Sequence, residues 1–158
     1  GKCLINEIPD EKMRIKMLSP LKLAFLGDAV FELYIRKSLV SCRYNKSVGE
    51  LNKEKIKFVC CEGQSNIVKK ILDILTPEEL NIYKRGRNAH VKQCPQKSSP
   101  LDYHRATGLE SLFGYLYLAG DFERIDRIME RIQEFICQGC VDEKACVSPS
   151  TGFSVRHT

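Results

Sequence analysis

No stretch of this 158-residue sequence approaches the roughly 18 to 20 unbroken apolar residues that a membrane-spanning helix needs, and no charged-then-apolar signal pattern opens it. These absences argue against membrane and secreted classes, so the first expectation is a soluble cytoplasmic protein. Strand-like alternation of polar and apolar residues is missing too, and no segment repeats, which points to an all-α fold. Cysteine is not scarce, with eight in the chain. Disulfide scaffolds are usually shorter, however, and the other apolar residues suffice for a core without staples, so most of the thiols are expected to be reduced. The length suits one domain, taken as residues 1–140, with 141–158 as a C-terminal extension poorly tied to it.

Helix start signals are plentiful. Ser19-Pro20 is an N-cap followed by proline at the first helical position, opening a helix to about Val40. Ser47 and Glu50 have capping-box spacing and open a second helix, which either runs through Gly63 to about Leu75 or breaks near that glycine. Thr76-Pro77-Glu78-Glu79 starts a short helix that the pattern ends before Arg85-Gly86. Residues 88–102 read as a loop, followed by helices from Tyr103 to about Leu118 and from Phe122 to about Cys137.

Formal net charge is +5, and it is concentrated: Lys84, Arg85, Arg87, Lys92, Lys97 and Arg105 stand against the single acid Asp102 within residues 84–105. That concentration suits a polyanionic partner. Two acids occupy unexpected places. On a helix, Asp28 shares its face with Leu21, Ala24, Phe25, Phe31 and Ile35, with Glu32 the only other polar residue, and Glu110 shares its own with Tyr103, Ala106, Thr107, Phe113, Gly114 and Tyr117. Both carboxylates are therefore expected to point inward. A single such acid is as well explained by a helix cap or an arginine partner. Two on neighbouring helices repel unless a proton or divalent cation lies between them, and oxygen ligands without His or Cys favour Mg²⁺ or Mn²⁺. Gly27 and Gly114 would let the two backbones approach closely enough to share an ion.

In chain order, LAFLGDAVFELYIR (23–36), KRGRNAH (84–90) and YHRATGLESLFGYLYL (103–118) resemble the ribonuclease III endonuclease domain. They resemble most closely Mini-ribonuclease III, the short form without a separate double-stranded-RNA-binding domain. The resemblance spans about residues 18–136. It implies an all-helical homodimer that cuts both strands of an RNA duplex, leaving 5′-phosphate and 3′-hydroxyl ends, with Asp28 and Glu110 as the catalytic metal-binding carboxylates and Mg²⁺ (or Mn²⁺) as cofactor. It also implies that Phe25 packs into a pocket of the partner subunit, and that the substrate in bacteria is the precursor of large-subunit ribosomal RNA. The basic segment Arg85, Gly86, Arg87, Asn88, His90 and Lys92, around a flexible glycine, becomes the expected RNA contact, with Arg105 beside it.

The sequence departs from full-length ribonuclease III at two places, where Ala24 and Thr107 replace acids. The Mini form resembles this reduced pattern, so the change is not read as inactivation, although a fold-retaining RNA-binding or ribosome-associated protein is the alternative. Glu32 is expected to pair with Arg36 four residues on. His90 and His104 are read as loop residues. Cys137-x2-Cys140 with Cys146 has part of a zinc spacing, its fourth ligand to come from His157 or Cys3, and this tail defines a third reading as a helical interaction module.

Overall fold

The structure, a computed structural model, describes residues 11–90 and 98–138. Among them are helices α1 (Glu11–Lys16), α2 (Pro20–Cys42), α3 (Val48–Val59), α4 (Cys61–Ile71), α5 (Pro77–Arg87), α6 (Pro100–Leu118) and α7 (Phe122–Cys137), with a 3-10 turn at Leu72–Ile74. No strand occurs among the described residues. The fold is all-α. Lys92, the C-terminal extension and the Cys140/Cys146/His157 tail lie outside the described residues.

The start signals behave as the sequence predicts. Ser19 accepts a hydrogen bond from the Leu21 amide at 3.3 Å. Thr76 and Glu79 close both arms of a capping box, at 3.2 and 2.9 Å. The second helix breaks rather than running through Gly63. The Cys60 thiol stands as N-cap of α4 and accepts from the Gly63 amide at 3.4 Å, so Cys60 separates α3 from α4 rather than lying within one helix.

Two boundaries differ from expectation. Helix α5 does not stop before Arg85-Gly86 but continues to Arg87. Gly86 is buried against α6, where a Cβ would strike the Ser111 side chain. Close packing there offsets the helix cost of glycine, so Gly86 is a contact point rather than a flexible hinge. Helix α6 begins at Pro100, three residues before Tyr103, because Ser99 accepts from the Asp102 amide at 3.1 Å. His104 consequently lies on a helix, not in a loop.

Helix α6 forms the axis of the core, packed by α2, α5 and α4. Leu109, Leu112, Phe113 and Leu116 of α6 are buried with Phe31, Ile35 and Leu39 of α2 and Ile67 of α4. Phe31 and Phe113 meet edge to face with centroids 5.3 Å apart. The tightest crossing is α2 on α6: a Cβ on Gly27 would collide with the Glu110 carbonyl, and one on Gly114 with the Leu23 carbonyl. The two glycines thus permit the backbone contact that the sequence anticipates, and that contact sets Asp28 next to Glu110.

Candidate active site

Of the two carboxylates, only Glu110 turns toward the interior. Asp28 is exposed, contrary to expectation. The buried face of α2 runs through Leu23, Ala24, Gly27, Val30, Phe31, Tyr34 and Ile35. Asp28 lies at its edge with Leu21 and Phe25, which are themselves 40% and 86% exposed. Apolar neighbours three and four residues away marked two sides of the helix, and only one is covered.

The pair is nevertheless coupled. Burial, and after it the negative charge of Asp28, push the Glu110 carboxyl up to about 8, with a Gln64 hydrogen bond acting the other way. No ion pair reaches Asp28 or Glu110 among the described residues. Neither does a third His, Cys, Asp or Glu gather with them there. Ala24 and Thr107 add nothing to the donor set: Ala24 is buried, and the Thr107 hydroxyl donates to the Tyr103 carbonyl at 3.0 Å. Two neighbouring carboxylates, one of them raised by burial and by the charge of the other, are a donor set suited to a hard divalent cation. Glu32 pairs with Arg36 at 3.3 Å, as its spacing predicts, and also with Lys55 of α3 at 3.4 Å.

The basic residues are not gathered in one loop. Arg85 turns into the fold, donating to the carbonyls of Lys16 and Leu18 at 2.7 and 3.5 Å, and so braces the link between α1 and α2. Arg87 lies over the Tyr83 ring, 5.8 Å from its centroid, and donates to the Asn88 side chain at 3.1 Å. Asn88 and His90 are exposed just past the helix end. Arg105 projects from α6 and donates to Ser65 at 3.4 Å. The charges of Arg87 and Arg105 both act on Tyr83, which places the end of α5 and the first turns of α6 side by side. The Nδ1 of His104 is buried without a hydrogen-bond partner.

Sequence reasoning missed Gln64. It lies on α4, is 2% exposed, and acts to favour the charged form of the Glu110 carboxyl. It is followed by another polar residue, Ser65, which is also buried, and no local pattern marks either position.

A family model described as the Ribonuclease III domain matches residues 21–121. The chain belongs to the ribonuclease III family. It is 47% identical over 119 residues to a Mini-ribonuclease 3 of Thermoanaerobacter sp. (strain X514), covering 75% of this chain and 83% of that protein. It is 39% identical over 121 residues to the Mini-ribonuclease 3 of Clostridium tetani, covering 77% and 80%. The crystal structure of protein FN1578 from Fusobacterium nucleatum superposes with a TM-score of 0.67 at 36% identity, covering 79% of this chain and 96% of that one. The chain is therefore a ribonuclease of the ribonuclease III family, with an all-α fold to match. No helix among the described residues is long and apolar enough to cross a membrane.

Proposed function

We propose that this chain is a Mg²⁺-dependent endoribonuclease that cuts both strands of an RNA duplex as a homodimer, with Mn²⁺ able to replace Mg²⁺. The observation that carries the proposal is the Asp28–Glu110 pair, whose mutual repulsion no ion pair among the described residues neutralises. Asp28 and Glu110 would hold the cation, directly or through water. When bound, the cation supplies charge neutralisation at the scissile phosphate and assistance to the attacking water and the departing 3′ oxygen. The chain's own part is to present two oxygen ligands from rigid helices. Gly27 and Gly114 fix their separation, and the buried core of α2 and α6 keeps it fixed. The products are 5′-phosphate and 3′-hydroxyl ends.

The proposed homodimer rests on Phe25. An aromatic side chain 86% exposed beside Asp28, in line with Leu21, Leu33 and Val40 on the uncovered side of α2, suits a second copy of the chain. The proposed duplex contact uses Arg87, Asn88, His90 and Arg105, with Lys92 kept in the proposal from the sequence, while Arg85 is committed to the α1–α2 link and Gly86 is buried against α6. These groups fit phosphate and 2′-hydroxyl recognition rather than base reading. Maturation of a large-subunit ribosomal RNA precursor in the cytoplasm is the role that the resemblance to Mini-ribonuclease III suggests. The test is incubation of the purified protein with a long RNA duplex, with and without Mg²⁺. Fragments bearing 5′-phosphates only in the presence of the cation are expected. Duplex that stays intact with either Mg²⁺ or Mn²⁺ would leave the fold-retaining RNA-binding protein as the better reading.

A further inference from the structure

The C-terminal ends of α2 and α7 meet at two sulfurs. Cys42 is the last residue of α2 and Cys137 the last of α7, and although 95 residues separate them in the chain, their Sγ atoms lie 3.3 Å apart. That is closer than the ~4 Å of an ordinary apolar contact. Both are free thiols. Polar contacts hold the junction on either side: the Gln133 side-chain amide, one turn back on α7, donates to Cys42 Sγ at 3.0 Å. Arg43, the residue after Cys42, is 5% exposed and donates to the carbonyl of Ile136, the residue before Cys137, at 3.0 Å. The same guanidinium pairs with Glu54 of α3 at 3.1 Å. The neighbours of the two cysteines are thus bonded to each other across the contact that the sulfurs make.

Access to the two thiols is unequal. Cys42 is fully buried, whereas Cys137 is half-buried and reachable from solvent. As a small apolar filler, Cys42 could be replaced by another small side chain. What that side chain would not supply is a second sulfur within reach of the first. A disulfide bond of about 2.05 Å asks the two atoms to close by only about 1.3 Å.

We propose that Cys42 and Cys137 are a reactive dithiol, which a peroxide converts into a reversible disulfide tying α2 to α7. Cys137 meets the oxidant: its sulfur attacks one peroxide oxygen, the O–O bond breaks, and a sulfenic acid and one water form. Cys42 then attacks the Cys137 sulfur, the S–S bond forms and the sulfenic oxygen leaves as a second water. Two thiols are oxidised by two electrons, hydrogen peroxide is reduced to two waters, and both thiol protons end in water. A small dithiol reductant reverses the change by exchange. The bond closes a loop spanning α3 to α6. Fourteen residues of α2, about 21 Å at 1.5 Å per residue, separate Cys42 from Asp28, so the inference does not depend on the metal-binding reading.

The experiment treats the reduced full chain with increasing hydrogen peroxide, alkylates the remaining thiols, digests without reduction and maps linked peptides by mass spectrometry. A Cys42–Cys137 linked pair is expected at the lowest effective dose, before any pair that involves the other six cysteines. With it, the melting temperature should rise by about 5–10 °C, since a long closed loop constrains the unfolded chain, and dithiothreitol should return it to the starting value. Cys137→Ser should abolish both the linked pair and the rise. Cys42→Ala should abolish the rise and leave Cys137 to oxidise to the sulfinic acid for want of a resolving thiol. Should Cys42→Ala fail to fold, Cys137→Ser at the half-buried helix end carries the test alone. A wild-type chain in which Cys137 links to Cys140, or oxidises to sulfinic acid while Cys42 is still alkylated, overturns the proposal. A Cys42–Cys137 link that lowers the melting temperature overturns it too, because the fold would then oppose the bond.

Discussion

Glu79 and Glu110 are both glutamates that the fold draws out of water, and burial raises the proton affinity of each, yet they finish on opposite sides of the ordinary carboxylate range. Glu79, 5% exposed, accepts from Arg124 at 2.8 and 2.9 Å and from the Thr76 amide at 2.9 Å. These bonds outweigh burial and hold its carboxyl low. Glu110 faces Asp28 instead, and only Gln64 opposes the rise. Burial is common to both; the counter-charge is not. At Glu79 the chain supplies its own cation, and the acid is structural, joining α5 to α7. At Glu110 the described residues supply a second anion instead, and the proposed divalent cation would be the counter-charge.

The largest expected effect separates the two sites directly. Asp28→Asn and Glu110→Gln should each lower duplex cleavage by several orders of magnitude while duplex binding and melting temperature hold. Arg124→Ala should do the reverse. It strands a buried carboxylate and costs about 3 kcal/mol or more of stability in denaturant titration, while the protein that remains folded still cleaves. Near-normal cleavage by either carboxylate variant would erase the distinction and the assignment with it.

A second copy of the chain could erase it differently, by bringing an arginine or lysine to Asp28 across the exposed stripe of α2. Phe25→Ala tests this. Loss of a central aromatic anchor typically costs about 2 kcal/mol, so the dimer should dissociate at a concentration about 30-fold higher in sedimentation equilibrium. Mn²⁺ affinity per subunit should not change. Tighter Mn²⁺ binding by the dissociated variant would show that the partner had been supplying the counter-charge. A wild-type monomer at micromolar concentration would contradict the dimer.

What the sequence disclosed follows the range of the interactions involved. Caps at Ser19, Ser47 and Thr76 are local, bonding within two or three residues, and each was readable. The same Ser-Pro signal at Ser99-Pro100 was obscured by the Pro- and Ser-containing loop before it, so α6 was placed three residues late and His104 outside a helix. The meeting of Gly27 with Gly114 was legible because both residues sit beside the suspect acids. The exposure of Asp28 was not: heptad-like spacing shows which residues share a side of α2, but Phe25 is apolar for some purpose other than the core of this chain. Arg85 and Gly86 depend on contacts across 69 and 25 residues of sequence, with Lys16 and Ser111 respectively, and no local pattern encodes them.

The smallest effect is in the pH dependence of the metal-free protein, and it carries the comparison furthest, since the two glutamates act in separate windows. Glu110 takes up its proton more readily in the folded chain than its ordinary value of 4.5, at about 8. The stability it contributes is therefore complete below its ordinary value and disappears as pH rises through about 8, where charging it against Asp28 opposes folding. For Glu79 the sign is opposite: its contribution is present above the ordinary value and is lost as pH falls through the lowered one. With chelator present, the wild-type melting temperature should fall by about 2–4 °C between pH 6 and 9 through Glu110, allowing for its partial exposure. Glu110→Gln should remove that decline and leave the acid limb intact, and saturating Mn²⁺ should reverse the decline in the wild type by binding the ionised pair. A decline that persists in Glu110→Gln would assign it to another group, and the contrast between a neutralised and an unneutralised glutamate would lose its thermodynamic support.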